Sequence, residues 1–331
     1  MTHHMTPVRM RALLKATGIG VGAALVLAGC SMTPPAAEGS DELTMIGYSV
    51  LGQGGGHWLR MIDETTKAGE AAGIEVRISD PQFDAVTQVN QVQDLITAGA
   101  QVLIIAALDQ EAIGVAVEEA HAKGIKVIAD LSGFEGADAY VGINECDRGT
   151  KVGEYIAEWW LENRDDAPMV FESNADSLGG SLPDRTDCMY AAIEAGVPGT
   201  TLVADLEAWQ EEDGYNAMSD ALTANPQINL VLGSNNEGTW GHVAAAEAAG
   251  RTPGSDIFFA TVDGQERTLK LIDEGKVLVG DRIPQEVEGP LLIKTAKGLF
   301  DGSIEPGQTF TVDTSVITSE NVASELAAIG K

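Results

Sequence analysis

Cysteine, histidine, aromatics and positive charge are all scarce in this chain of 331 residues. Its three cysteines, Cys30, Cys146 and Cys188, are too few for a disulfide framework. No CxxC pair or histidine cluster accompanies them, so no metal site is expected. An oxidising compartment permits one bridge between Cys146 and Cys188, but two small, buried free cysteines are the expectation. Aromatics make up only 5% of the residues, so a tryptophan near a strand end carries information. Lysine and arginine total 20 against 50 acidic residues, for a formal net charge of −30. Such a surface repels nucleic acid and anionic lipid head groups. The acids are spread along the chain rather than gathered into a tail, which describes a solvated surface. No GxSxG elbow, HExxH pair or GK[ST] loop is present, which argues against an enzyme built on those motifs. The glycine-rich stretch 52–57 follows a strand and precedes a helix, as a dinucleotide loop would. Its third fingerprint position falls on His57, so the fingerprint fails. What remains is a backbone able to approach a ligand closely, with a helix N-terminus facing it. No cofactor is expected.

Long hydrophobic runs are also missing. The most apolar stretch, 16–28, is shorter than the roughly 20 residues a spanning helix needs. It follows Arg9, Arg11 and Lys15, with no acid before Glu38, and ends in Leu27-Ala28-Gly29-Cys30. A basic segment, an apolar segment and small residues at a cut site describe a secretory signal. With cysteine after Leu-Ala-Gly it resembles a bacterial lipoprotein signal. That resemblance implies that residues 1–29 are removed, that Cys30 is lipidated, and that the mature protein is held outside the cytoplasm by a lipid anchor. Residues 30–41, small, polar and proline-bearing, read as a flexible linker.

From residue 43 onward short apolar runs alternate with segments of helical period. Strands are expected at 43–50, 74–78, 102–107, 126–129 and 140–143, then at 169–172, 201–204, 230–232, 257–262, 277–280 and 310–312. Helices are expected at 58–72, 85–98, 111–123, 148–162, 184–195, 209–224, 239–249, 265–274 and 286–299. The first helices end at Gly73, Gly99 and Gly124, as left-handed caps require. Strands that are apolar throughout are buried on both faces, which means parallel sheets between layers of helix. The fold class is α/β, with two doubly wound lobes. Ligands of such lobes bind at the carboxyl ends of the strands, here in the cleft between the two.

Several segments together are similar to the type I periplasmic binding proteins of sugar ABC transporters, the ribose, galactose and xylose class. They are Gln93-Asp94-Leu95-Ile96 with Gly99 and 102–105, Gly124-Ile125-Lys126-Val127-Ile128, Asp184-Arg185-Thr186-Asp187, Gly233-Ser234-Asn235-Asn236-Glu237, and Val262-Asp263-Gly264. The resemblance spans about residues 43–317. It implies a three-segment hinge, with crossings near 143–144, 281–282 and 309–312. One lobe would then comprise 42–143 plus 282–310, and the other 144–281 plus 311–331. It further implies a monomer that captures a pentose, a hexose or a related polyol and delivers it to a permease. The alternatives are a ligand-sensing subunit for a membrane receptor and, further off, an extracytoplasmic carbohydrate-active enzyme.

A sugar presents apolar C–H faces and a ring of hydroxyls that must be hydrogen-bonded when buried. Trp58 and Trp209 are the candidate plates for the faces, core packing being the alternative for each. His57, beside Trp58, is a candidate donor. Asp130, Arg185, Asn235, Asp263 and Arg282 are the candidate polar set: Asp130 and Asn235 end apolar strands, where a polar group is costly unless used, and the resemblance implies Arg185 and Asp263, which stand on its motifs. Cysteine stands at Cys188 where that family usually has glycine, and Leu131-Ser132 follow Asp130 where it usually has arginine. Asn235 and Asp263-Gly264 also suit turns or caps. An arginine at 282 would favour a ligand rich in acceptors, such as a sugar acid; a salt bridge to Asp281 is the alternative.

Overall fold

The computed structural model describes residues 42–53, 56–178 and 181–329. The signal segment, Cys30, the linker, Gly54 and Gly55 lie outside the described residues.

The first half of the chain alternates strand and helix with short connections: β1 (Met45–Ser49), α1 (Gly56–Ala71), β2 (Glu75–Ser79), α2 (Ala85–Thr97), β3 (Val102–Ile105), α3 (Gly114–Ala122), β4 (Lys126–Asp130) and β5 (Ala139–Gly142). β1 and β3 are buried along their whole length; β3 is apolar throughout, and β1 is apolar up to Ser49, whose Oγ accepts from Gln88 Nε2 at 3.2 Å. Gly73 adopts the left-handed conformation after α1, at φ 73°, which ends the helix without a Cβ clash. The second half continues with α4 (Glu145–Asn163), β6 (Met169–Asn174), α5 (Asp184–Gly196), β7 (Thr201–Glu207), α6 (Glu211–Ala224), β8 (Leu230–Gly233), α7 (Asn236–Ala248), β9 (Phe258–Ala260) and α8 (Glu266–Asp273). It closes with β10 (Gly280–Arg282), α9 (Gln285–Asp301), β11 (Gln308–Thr311), β12 (Ser315–Ile317) and α10 (Val322–Ile329).

These strands form two parallel sheets. The first has the order β11-β5-β4-β3-β1-β2 and the second β7-β6-β8-β9. Each sheet carries an apolar cluster on both faces, so the molecule has two doubly wound lobes. In the first sheet the order reverses between β1 and β3; in the second it reverses between β6 and β8. Those switch points open a crevice at the carboxyl ends of the strands. Buried Gln88 ties the first one together. Its Nε2 donates to the carbonyl of Ala106 at 2.7 Å, and its Oε1 accepts from the Leu108 amide at 2.8 Å.

The strand expected at 277–280 does not extend the second parallel sheet. β10 instead pairs antiparallel with β12 in a two-stranded ribbon, linked to the sheet by one parallel bridge between Ala260 and Val279. β12 and α10 had no counterpart in the sequence reading. Trp209 does not open a helix; it precedes α6, which begins at Glu211. The expectation of two free cysteines is also corrected: Cys146 and Cys188 form a disulfide. The reason is the packing of α4 on α5, where a Cβ on Gly149 would sit 2.0 Å from the Arg185 carbonyl oxygen. Only glycine allows the helices so close, and that approach brings the two cysteine Cα atoms to 5.2 Å. Among the described residues no helix is long and apolar enough to cross a membrane.

Candidate functional site

Loops from both lobes enclose a cavity of about 90 Å³ at the carboxyl ends of the strands. Leu51 follows β1, Phe83 follows β2 and Leu131 follows β4. From the other lobe come Trp209 after β7, Asn235 after β8, and Asp263 after β9. His57 and Trp58 reach it from the first turn of α1, and Arg185 from the first turn of α5. A wider, more open groove of about 550 Å³ adjoins it and shares His57, Asp263, Gln265 and Ile283.

The backbone around this cavity is unusual. Among the described residues four non-glycine residues have positive φ: Gln82 (52°), Phe83 (61°), Leu131 (66°) and Asp263 (68°). Three of the four line the cavity. Such conformations cost about 1–3 kcal/mol each and persist where the surroundings hold them. Here they are held. The Phe83 amide donates to the Leu51 carbonyl at 2.9 Å. The Tyr140 hydroxyl reaches the carbonyls of Leu131 at 3.2 Å and Ile143 at 2.8 Å. The Asp263 amide donates to Asp281 Oδ1 at 2.7 Å.

A buried ion network supports the second-lobe wall. Arg148 donates to Asp281 through Nε and Nη2, at 2.8 and 2.7 Å, and Nη2 also reaches Asp263 at 2.8 Å. Glu145 bridges this arginine to the next: it accepts from Arg148 Nη1 at 3.2 Å and from Arg185 Nε and Nη2 at 3.0 and 2.7 Å. Arg185 Nη1 donates to the Ser234 carbonyl at 2.8 Å. A guanidinium has five N–H groups, so Arg185 keeps donors for a ligand while Glu145 fixes its plane. Burial alone would raise the Asp263 carboxyl, but the charges of Arg148 and Arg185 hold it below its ordinary range. The disulfide fastens the helix turn carrying Glu145 and Arg148 to the one carrying Arg185.

The candidate plates differ. Trp58 is packed into the first-lobe core and only 7% exposed, so the core-packing alternative also describes it. Trp209 is half-buried and lies under the Arg185 guanidinium, 5.9 Å from its ring centroid. His57 stands edge-on to Trp58 and meets Gln285 Nε2 at 3.3 Å through Nδ1. Burial pushes its imidazole down to about 4, so the ring is neutral. Asn235 lines the cavity but its amide is engaged within the protein. Oδ1 caps α7 at the Gly238 amide, and Nδ2 donates to the Trp209 carbonyl at 2.8 Å, which positions that tryptophan.

Two candidates lie elsewhere. Asp130 is buried behind the cavity wall and accepts a 2.6 Å hydrogen bond from Tyr48; the left-handed turn at Leu131 presents the leucine instead. Burial pushes the Asp130 carboxyl up to about 6. Arg282 lines the open groove, not the cavity. It pairs with Glu286 and Glu325 rather than with Asp281, whose carboxylate belongs to Arg148. The sequence reading also missed Leu51, Phe83, Leu131, Gln210, Glu237, Gln265 and Ile283. Gln265 spans the cleft: Oε1 accepts from the Gly56 amide at 3.3 Å, while Nε2 donates to Glu237 at 2.9 Å. The Ser181 amide likewise reaches Ser132 Oγ across the cleft, at 3.4 Å. Among the described residues no group of three or more His, Cys, Asp or Glu is placed to hold a metal.

Residues 46–302 match the family described as "Periplasmic binding protein domain". The chain is 25% identical over 287 residues to the ribose import binding protein of Bacillus subtilis, covering 84% of this chain and 90% of that one. Over 207 residues it is 27% identical to the D-xylose-binding periplasmic protein of Escherichia coli, covering 58% of this chain and 59% of that one. A Mycobacterium smegmatis ABC transporter solute-binding protein with bound glycerol superposes with a TM-score of 0.77 at 26% identity, covering 86% of this chain and 96% of the other. The periplasmic component of an arabinose ABC transporter from Shewanella sp. ANA-3 superposes at 0.78, with 20% identity and coverage of 86% and 95%.

Proposed function

Because this chain belongs to the periplasmic binding protein domain family, we propose that it is an extracytoplasmic solute-binding protein that captures a monosaccharide or related polyol between its lobes and passes it to an ABC transporter permease. It is a binding protein and not an enzyme. The observation that carries the reading of the ligand is the cavity itself. It is small, far below the roughly 300–1,000 Å³ of drug-sized pockets. It combines two tryptophans with an arginine, two carboxylates and side-chain amides, which suits a compact molecule with apolar faces and a rim of hydroxyls. The relatives named for ribose and xylose, and the structure holding glycerol, support the same ligand class. Lipidation of Cys30 would keep a monomeric binder beside its permease.

Titration calorimetry and thermal melts against pentoses, hexoses and polyols test this. At least one should bind and raise the melting temperature, as any ligand of the native state does. If none does, the reading fails. Trp209→Ala should weaken that binding about tenfold or more with little change in melting temperature. Trp58→Ala should lower both, because it also opens the core, at a cost of about 3–5 kcal/mol. Cys30→Ser should move the protein from the membrane to the soluble fraction; retention on the membrane would remove the lipid anchor from the proposal.

A further inference from the structure

The charge of the cavity narrows its ligand further, an inference that rests on the solute-binding reading above. Its lining carries one cation, Arg185, and two carboxylates, Asp263 and Glu237. Directly behind stand Arg148, Glu145 and Asp281, all buried. Among these six groups four carboxylates face two guanidiniums; neutral His57 adds no charge, and burial pushes the carboxyl of Glu288, which lies in the same field, well above its ordinary range. Both guanidiniums already have carboxylate partners, although Arg185 keeps two N–H groups free of protein acceptors. Arg148 is shared by Asp281, Asp263 and Glu145, and Arg185 is held by Glu145 and Ser234.

Glu237 is left over. Among the described residues it has no ion pair, and its one side-chain hydrogen bond comes from the neutral amide of Gln265. Arg267, the cation whose field reaches it, is clasped by Glu211 through two bonds of 2.8 Å. Burial raises the Glu237 carboxyl above its ordinary value, and the charges of Asp263 and Glu211 add to that. The remaining basic side chains nearby, Arg60, Lys270 and Arg282, line the open groove and not the cavity.

We propose that the cavity selects on ligand charge: it takes polyhydroxy ligands that are neutral or carry an ammonium group, the ammonium-bearing ones more tightly, and it excludes carboxylated and phosphorylated ones. An ammonium group offers three donors and a positive charge; beside Glu237 it would supply the missing counter-ion and relieve the repulsion with Asp263. An anionic group would add a fifth negative charge where no unpaired cation awaits it, and a buried charge without a partner is costly. Arg282 gives no contrary signal, since it is paired outside the cavity.

The test is titration of the purified full chain with matched sets: a hexose, its amino-deoxy derivative and its uronic acid, and an inositol with its amino analogue. In at least one pair the amine should bind fivefold or more tighter than its neutral parent. Every acid should bind at least tenfold more weakly than its parent. Glu237→Gln should cut the amine-to-parent affinity ratio at least fivefold, whatever it does to the parent. Should that variant misfold, the wild-type ratio should still collapse as pH rises through the amine's own pKa. An acid that matches its parent, no amine preferred over its parent, or an amine preference that survives both manipulations overturns the proposal. If neutral sugars bind but the charge series is flat, only this inference is lost. If nothing binds at all, the solute-binding reading is lost with it.

Discussion

At His242 the fold buries an imidazole completely, edge-on to Phe171, with neither ring nitrogen hydrogen-bonded. Burial pushes its pKa down to about 3, whereas the unfolded chain titrates near 6.5. As pH falls below about 6.5 the unfolded state takes up a proton that the folded state refuses, so stability is lost with acidification. By pH 5 this side chain alone accounts for about 2 kcal/mol of that loss. His242→Leu should therefore lose about 2 kcal/mol less than wild type between pH 7.5 and 5 in urea titrations; an identical loss would show that His242 is not the group responsible. Glu172, which burial pushes up to about 7, works in the opposite direction over much of the same range, so the comparison must be between variant and wild type at each pH. Single residues also show what the sequence made legible. His57, Trp58, Arg185, Trp209, Asn235 and Asp263 line one cavity; the tryptophans stood out as rare aromatics, His57 as the neighbour of Trp58, Asn235 as a polar strand end, and Arg185 and Asp263 through the motifs of the resemblance. Leu131 did not, because its place depends on a left-handed backbone that no side chain announces. Glu237 was hidden among 50 acids. Asp130 misled because a buried carboxylate at a strand end needs a partner, and Tyr48 supplies it inside the protein.

Among the elements, the pair α4 and α5 does most to shape the second-lobe wall. The Cys146–Cys188 bridge joins them across 42 residues of sequence, and a loop of that size is stabilised by about 2–4 kcal/mol. Reduction should lower the melting temperature of the wild type by several degrees and leave a Cys146→Ser, Cys188→Ser double variant unmoved. A wild type insensitive to reductant would mean that helix packing alone holds the pair. Most strands and helices were legible because β3 and β8 are unbroken apolar runs and the connections are short. The errors fall where tertiary context decides. β10 and β12 are three residues each and find only one another. α10 packs on α8, and the turn of Thr318 and Asn321 that leads into it, with Asn321 Oδ1 accepting from the Thr318 amide at 2.8 Å, was not read as a helix start. The bridge was missed because two cysteines alone do not disclose that Gly149 draws their helices together.

At the scale of the whole molecule, a formal net charge of −30 on 331 residues sets up self-repulsion that folding must overcome. Screening length falls from about 30 Å at 0.01 M salt to about 10 Å at 0.1 M. The melting temperature should therefore rise by several degrees when sodium chloride is raised from 0.01 to 0.1 M. A fall would mean that screening of ion pairs such as Arg267–Glu211 outweighs relief of the net charge. Two lobes and their parallel sheets were legible from the alternating pattern, as was the placing of a cavity at the strand ends; the volume enclosed was not, since it depends on how far the lobes approach. That approach is visible in the bonds of Gly56 to Gln265 and of Ser132 to Ser181, and it has a kinetic consequence. If the proposed ligand is held in a cavity walled by both lobes, its residence time would depend on how often the lobes part as much as on the contacts it makes. Affinity and lobe closure are then linked. A membrane partner that holds the lobes apart would discharge the site by leverage, without competing for it and without touching the ligand.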